Sequence, residues 1–152
     1  MFPQLKQGVA TLATSITAAG TFTSTAIDTL GFDWATIDVY ATTQSASTLA
    51  GSPTVLKLQE SDSTSATTFV DIVGARLGTA AATNVDAIIG VGVTSGINGY
   101  KFNVDCRARK RYLSVVASPT TTQSFSTAVN LGRGEQSPST AVKAGVLNLV
   151  EV

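Results

Sequence analysis

Histidine is absent from the chain, cysteine, methionine and tryptophan occur once each, and only 13% of the 152 residues are charged. Roughly a quarter of an average soluble domain is charged. The missing histidine removes the commonest general base at neutral pH and a principal zinc ligand, so His-dependent catalysis and His- or Cys-type metal sites are excluded. Cys106 has no partner for an internal disulfide, so redox chemistry does not hold the fold. Ten basic residues balance ten acidic ones, whereas indiscriminate binding to nucleic acid or anionic lipid rests on an excess of Lys and Arg. No run approaches the roughly 18 apolar residues of a membrane span. The opening MFPQLKQGVA lacks the basic start and apolar core of a secretory signal. A soluble product of the cytoplasm is expected, with no nucleic acid, membrane or cofactor as partner.

What the chain has in quantity is Thr and Ser, 23 and 15 residues, a quarter of the sequence. At this length one domain with a self-sufficient core is expected. A weakly charged, neutral surface also gives little protection against self-association. An assembly follows as the expected state.

Apolar residues do not recur at helical spacing over any long window, while period-2 alternation is repeated. In residues 32–42, Ala35, Ile37 and Val39 share one face against Trp34, Thr36, Asp38 and Tyr40. Residues 53–61 set Leu56 and Leu58 against Lys57 and Gln59, then lead through the turn-rich SDSTSATT into a strand over 68–73. Tyr100, Phe102, Val104 and Cys106 alternate with Lys101, Asn103, Asp105 and Arg107, and Phe125, Thr127, Val129 and Leu131 repeat the pattern after a strand over 112–117. Gly90 and Gly92 inside the apolar run 86–94 mark a bulge or a close backbone approach, and Asn98-Gly99 reads as a turn. The expected fold is all-β: an antiparallel β-sandwich or jelly-roll-like domain over residues 20–132, with helix below about 15% where one third is ordinary. Its core is expected to include Ala35, Ile37, Val39, Leu56, Leu58, Phe102, Val104, Leu113 and Val115. Residues 1–19 read as an N-terminal arm, and 133–152 as a linker ending in a C-terminal arm or strand, VLNLVEV.

Few features offer chemistry. Arg107, Arg109 and Arg111 share one face of a strand or turn in the one dense charge run and form a candidate protein-interface patch. Glu60 and Asp62, with Asp28, Asp33 and Asp38, lack calcium-loop spacing and read as turn or surface residues. Ser is abundant, yet no base accompanies it and G-x-S-x-G is absent. The glycines at 90, 92, 96 and 99 lack the helix that a phosphate-cradling loop requires. Trp34 is expected in core or intersheet packing. Phe2, Leu147, Leu149 and Val150, apolar residues near the chain ends, are the remaining interface candidates. No catalytic, cofactor or metal residue is assigned.

The order of LGFDWATIDV (30–39), VLKLQESD (55–62), TTFVDI (67–72) and KRYLSVVASP (110–119) resembles the head decoration, or cement, proteins of tailed phages over residues 28–120. Asp62 is followed by Ser63 where that pattern usually has a second acid. The resemblance implies a non-enzymatic virion protein on the capsid exterior, bridging neighbouring capsomers of major capsid protein, often as a trimer. Another virion part, such as a tail-tube, head-completion or fibre-base protein, and a carbohydrate- or receptor-binding sandwich are the alternatives. A capsid repeats identical sites in a symmetric array, so weak contacts made by an oligomer gain through effective concentration.

Overall fold

Alternating apolar residues can be shielded only if their sheet lies on another layer, and here the second layer is another sheet. The computed structural model describes residues 4–17, 20–42, 53–78, 87–88, 97–119 and 122–133. Their strands are β1 (Gln4–Ile16), β2 (Phe22–Thr23), β3 (Ile27–Asp28), β4 (Trp34–Thr42), β5 (Pro53–Ser61), β6 (Val70–Gly78), β7 (Ala87–Ile88), β8 (Ile97–Asp105), β9 (Tyr112–Pro119) and β10 (Gln123–Arg133). Sheet A has the order β1-β10-β4-β8, and sheet B the order β2-β9-β5-β6-β7 with β3 also on β9. All pairs are antiparallel except the short parallel contact of β6 with β7. The described residues contain no α-helix, only 3-10 turns at Ala66–Thr68 and Cys106–Ala108. The fold is therefore the expected all-β sandwich.

The core lies between the sheets. Ala35, Ile37, Val39 and Ala41 of β4 and Phe125, Thr127, Val129 and Leu131 of β10 face inward from sheet A, with Phe102 of β8 beside them. Leu56 and Leu58 of β5 and Leu113, Val115 and Ala117 of β9 answer from sheet B. Phe22 and Phe125, one from each sheet, stack with ring centroids 5.1 Å apart. Every expected core residue is buried, apart from Val104, which is half-buried and packs against the cluster. Each fully buried side chain of this size contributes about 1.5–3 kcal/mol.

One local device closes the β9 edge. Phe22 pairs with Ala117 and Thr23 with Val116, but Ile27 pairs with Leu113 and Asp28 with Tyr112, so the β2–β3 stretch holds one residue more than its partner. That surplus is a bulge. Ser24 fills the gap: its backbone N–H donates to the Val115 carbonyl at 2.9 Å, and its hydroxyl accepts from the Val115 N–H at 2.9 Å.

Three expectations are corrected. Residues 4–16 are no arm beside the sandwich: they form β1, paired with β10 from Gln4↔Arg133 to Ile16↔Gln123. Asn98-Gly99 is no turn, since both residues sit within β8 opposite Ala41 and Tyr40. There Gly99 lies under the Tyr40 ring, and sheet pairing overrides the local turn preference. The strand expected at 112–117 extends to Pro119, where it pairs with Pro53. Phe2, Leu147, Leu149 and Val150 lie outside the described residues, as do Gly90 and Gly92.

Candidate binding surface

The basic run crosses from sheet A to sheet B over one end of the sandwich. The turn Cys106–Ala108 is held there by the Cys106 N–H donating to the Asp33 carbonyl at 2.7 Å and by the Arg109 N–H donating to the Cys106 carbonyl at 3.1 Å. The three arginines are drawn apart. Arg107 grips Asp105 through Nε at 2.9 Å and Nη2 at 2.6 Å, while its guanidinium lies 5.2 Å from the Trp34 ring centre. Arg111 grips Asp28 at 2.9 and 2.7 Å and covers Tyr112 at 4.8 Å. Arg109 stands 3.7 Å from Glu60, whose carboxylate also accepts from the Lys110 N–H at 3.2 Å. The expected single basic face is thus three separate ion pairs.

These pairs set the local electrostatics. The Arg107 hydrogen bond holds the Asp105 carboxyl at about 2, and the Arg111 hydrogen bond holds Asp28 below its ordinary value. Both acids stay ionised at neutral pH. Cys106 is pushed the other way, to about 11, by burial and then by Asp105 and Asp33. The thiol is therefore protonated and a poor nucleophile.

Trp34 is not in the core. It is 53% exposed at the start of β4, because Ala35, Ile37 and Val39 take the inward face and leave the even positions outward. Tyr40 projects from the same face at 44% exposure and Ile97 of β8 at 65%. Between them Lys101 reaches Asp38 at 3.4 Å, and the Thr36 hydroxyl donates to the Asn103 side-chain oxygen at 3.2 Å. Next to β4, the outward positions of β10 are Ser126, Ala128, Asn130 and Gly132, all small or short. The outer face of sheet A thus has short side chains along β10, aromatics near its ends, internally paired charges and an Arg on its Trp. Trp, Tyr and Arg are the residues that dominate protein-protein binding energy.

A concavity lies where the two sheets part. Lys57 pairs with Arg76 and Gln59 with Asp71, so residues 72–75 of β6 stand opposite Leu58 alone and bow outward. Gly74 takes φ 83° at the bow, a conformation that costs other residues about 1–2 kcal/mol. Between this bow and β8 is a cleft of about 510 Å³, floored by Leu58, Ile72 and Phe102 and rimmed by Lys101, Asn103, Asp105 and Arg109. An apolar floor with a polar rim can seat a side chain or a peptide. Among the described residues no three His, Cys, Asp or Glu side chains converge to hold a metal ion. Glu60 is occupied with Arg109 and Lys110, and Asp62 is an exposed turn residue.

No family model and no curated protein matches the sequence. Among solved structures, the chain is similar to one from the disulfide-linked pili that form Bacillus endospore appendages, at 14% identity over 88% of this chain and 93% of that one, with a TM-score of 0.35. A likeness that low carries no function across, and the sandwich stands on its own strand pairing. No helix among the described residues is long and apolar enough to cross a membrane.

Proposed function

We propose that this protein is a non-enzymatic component of a tailed-phage virion that binds the capsid exterior, bridges neighbouring capsomers and acts as a homo-oligomer, with a trimer favoured. The observation that carries the reading is the outer face of sheet A, where Trp34, Tyr40 and Ile97 stand exposed on a sheet face whose charges are paired with one another. An isolated domain gains nothing from that exposure, whereas a docked one buries it. The segments that resemble decoration proteins supply much of β4, β5 and β9 and the start of β6, strands inside the two sheets. The partner is a major capsid protein, and the place of action is the virion surface after synthesis in the host cytoplasm.

A second reading has its own support. Exposed aromatics beside Asp38, Thr36 and Asn103 are also what a saccharide-binding platform presents. Heating separates the two. Particles lacking the protein should release their genome at lower temperature than complete ones if it is a cement. Equal release, together with quenching of the Trp34 fluorescence by soluble glycans, would overturn the cement reading in favour of the platform.

A further inference from the structure

Trp34 has a different neighbour on each flank of the outer face of sheet A: it pairs with Asp105 toward β8 and with Gly132 toward β10. The two flanks are unlike. Asp105 accepts the Arg107 backbone N–H at 3.1 Å, which opens the Cys106–Ala108 turn, and it accepts Arg107 Nε at 2.9 Å and Nη2 at 2.6 Å. A guanidinium held by two parallel bonds has a fixed place and plane. That place is over the Trp34 ring, 5.2 Å from its centre. Gly132, having no side chain, leaves the ring uncovered from the other flank.

We infer that Trp34, Arg107 and Asp105 form one preorganised anchor for a protein partner: Asp105 positions the guanidinium, the Trp34 flank beside Gly132 receives an apolar side chain, and Arg107 Nη1 donates to a main-chain carbonyl next to it. The inference rests on the proposed docking of this face and names what the capsid protein must offer there. Asp105 takes Nε and Nη2, whereas Nη1 has no hydrogen-bond partner among the described residues, on a side chain 61% exposed. A donor is therefore to hand. Charge then selects the acceptor, because Asp105 already compensates the guanidinium and Asp33 acts on the same charge, so a further carboxylate is repelled while an uncharged carbonyl is not. Arg is a long side chain that ordinarily loses rotamer freedom on binding, and the grip of Asp105 removes that freedom beforehand.

Trp34 is the one tryptophan of the chain, so its fluorescence reports this anchor alone. In the free protein, with circular dichroism confirming strand content, Arg107→Ala should raise quenching of Trp34 by acrylamide. Asp105→Asn, which keeps an oxygen to cap the turn, should raise it too although Arg107 is still present; unchanged quenching would overturn the positioning role. In co-sedimentation with particles depleted of the natural protein, Arg107→Ala and Gly132→Val, the second filling the notch at a position of regular strand pairing, should each raise Kd about tenfold or more. Natural protein that binds while these variants bind equally well overturns the inference and leaves capsid docking standing. Natural protein that does not bind overturns both. The salt dependence of Kd should be the same for the natural protein and for the Asp105→Asn, Arg107→Gln double variant, which removes both charges together. A steeper dependence for the natural protein would identify a carboxylate on the partner and overturn the carbonyl assignment, and release from the particles by soluble glycans would overturn the protein partner.

Discussion

Replacing Trp34 with Ala separates a binding surface from a core position. Trp34 is 53% exposed, and a principal described contact is the Arg107 guanidinium 5.2 Å from its ring centre. An exposed cation-π contact contributes about 0.5–1 kcal/mol. Trp34→Ala should therefore lower unfolding free energy by at most about 1 kcal/mol in a urea titration, whereas truncating a buried aromatic costs about 3–5 kcal/mol. Binding should respond more strongly. An aromatic that becomes buried as an anchor of an interface costs about 2 kcal/mol or more on truncation, which is about a 30-fold rise in Kd. The assay is co-sedimentation of the purified variant with particles depleted of the natural protein, run beside the urea titration. A stability loss above about 3 kcal/mol would show that the side chain supports the fold. Unchanged co-sedimentation with a folded variant would remove the outer face of sheet A from the interface.

Leu58 is fully buried in the floor between the sheets, so Leu58→Ala should cost about 2–5 kcal/mol in denaturant, and a loss under about 0.5 kcal/mol would contradict the inward assignment of β5. The Thr127 hydroxyl is buried with no hydrogen-bond partner among the described residues, and Thr127→Val, which keeps the branched shape, should raise stability by about 1 kcal/mol in the same titration. Asp28 is held low by Arg111 and Asp105 by Arg107, and Asp71 is held low by Lys57 and Gln59 against the opposing effect of burial. Depressed carboxyls add stability above the ordinary value of 3.8 and lose it as pH falls, for Asp105 through about 2. Urea midpoints measured from pH 5 to pH 2 should fall, and Asp28→Asn should flatten that fall; midpoints independent of pH would mean the ion pairs do not act on folding.

The strands that were legible in the sequence are those whose inward residues are apolar at every second position. In β4, β5 and β10 the pattern and the burial coincide because these strands lie inside their sheets, with one face on the core and the other facing outward. β1 was not legible because its inward positions are inverted in character. Lys6 stands opposite Leu131 with its ammonium 5.9 Å from the Phe32 ring centre, and Gly8 stands against the Val129 side chain. β1 is a strand because β10 offers it a ladder, not because its own pattern requires one. Trp34 shows alternation prevailing over residue type: its bulk pointed to the core, but the parity of Ala35, Ile37 and Val39 turns it outward. The basic run was legible as charge, yet its partners were not, since Glu60 and Asp28 are brought to Arg109 and Arg111 only by the folded end of the sandwich. The cleft is further out of reach of sequence, because it depends on the bow in β6 opposite Leu58 and on the approach of β8 from the other sheet.

The account rests most heavily on where the sandwich sits and which face it turns to its partner. Electron cryomicroscopy of particles that carry the protein measures both at once. It should show the two-sheet domain outside the shell at the junctions between capsomers, with Trp34 and Tyr40 turned toward the capsid protein. Density in the tail, a bare shell exterior, or a bound domain with the Trp34 face open to solvent would contradict it.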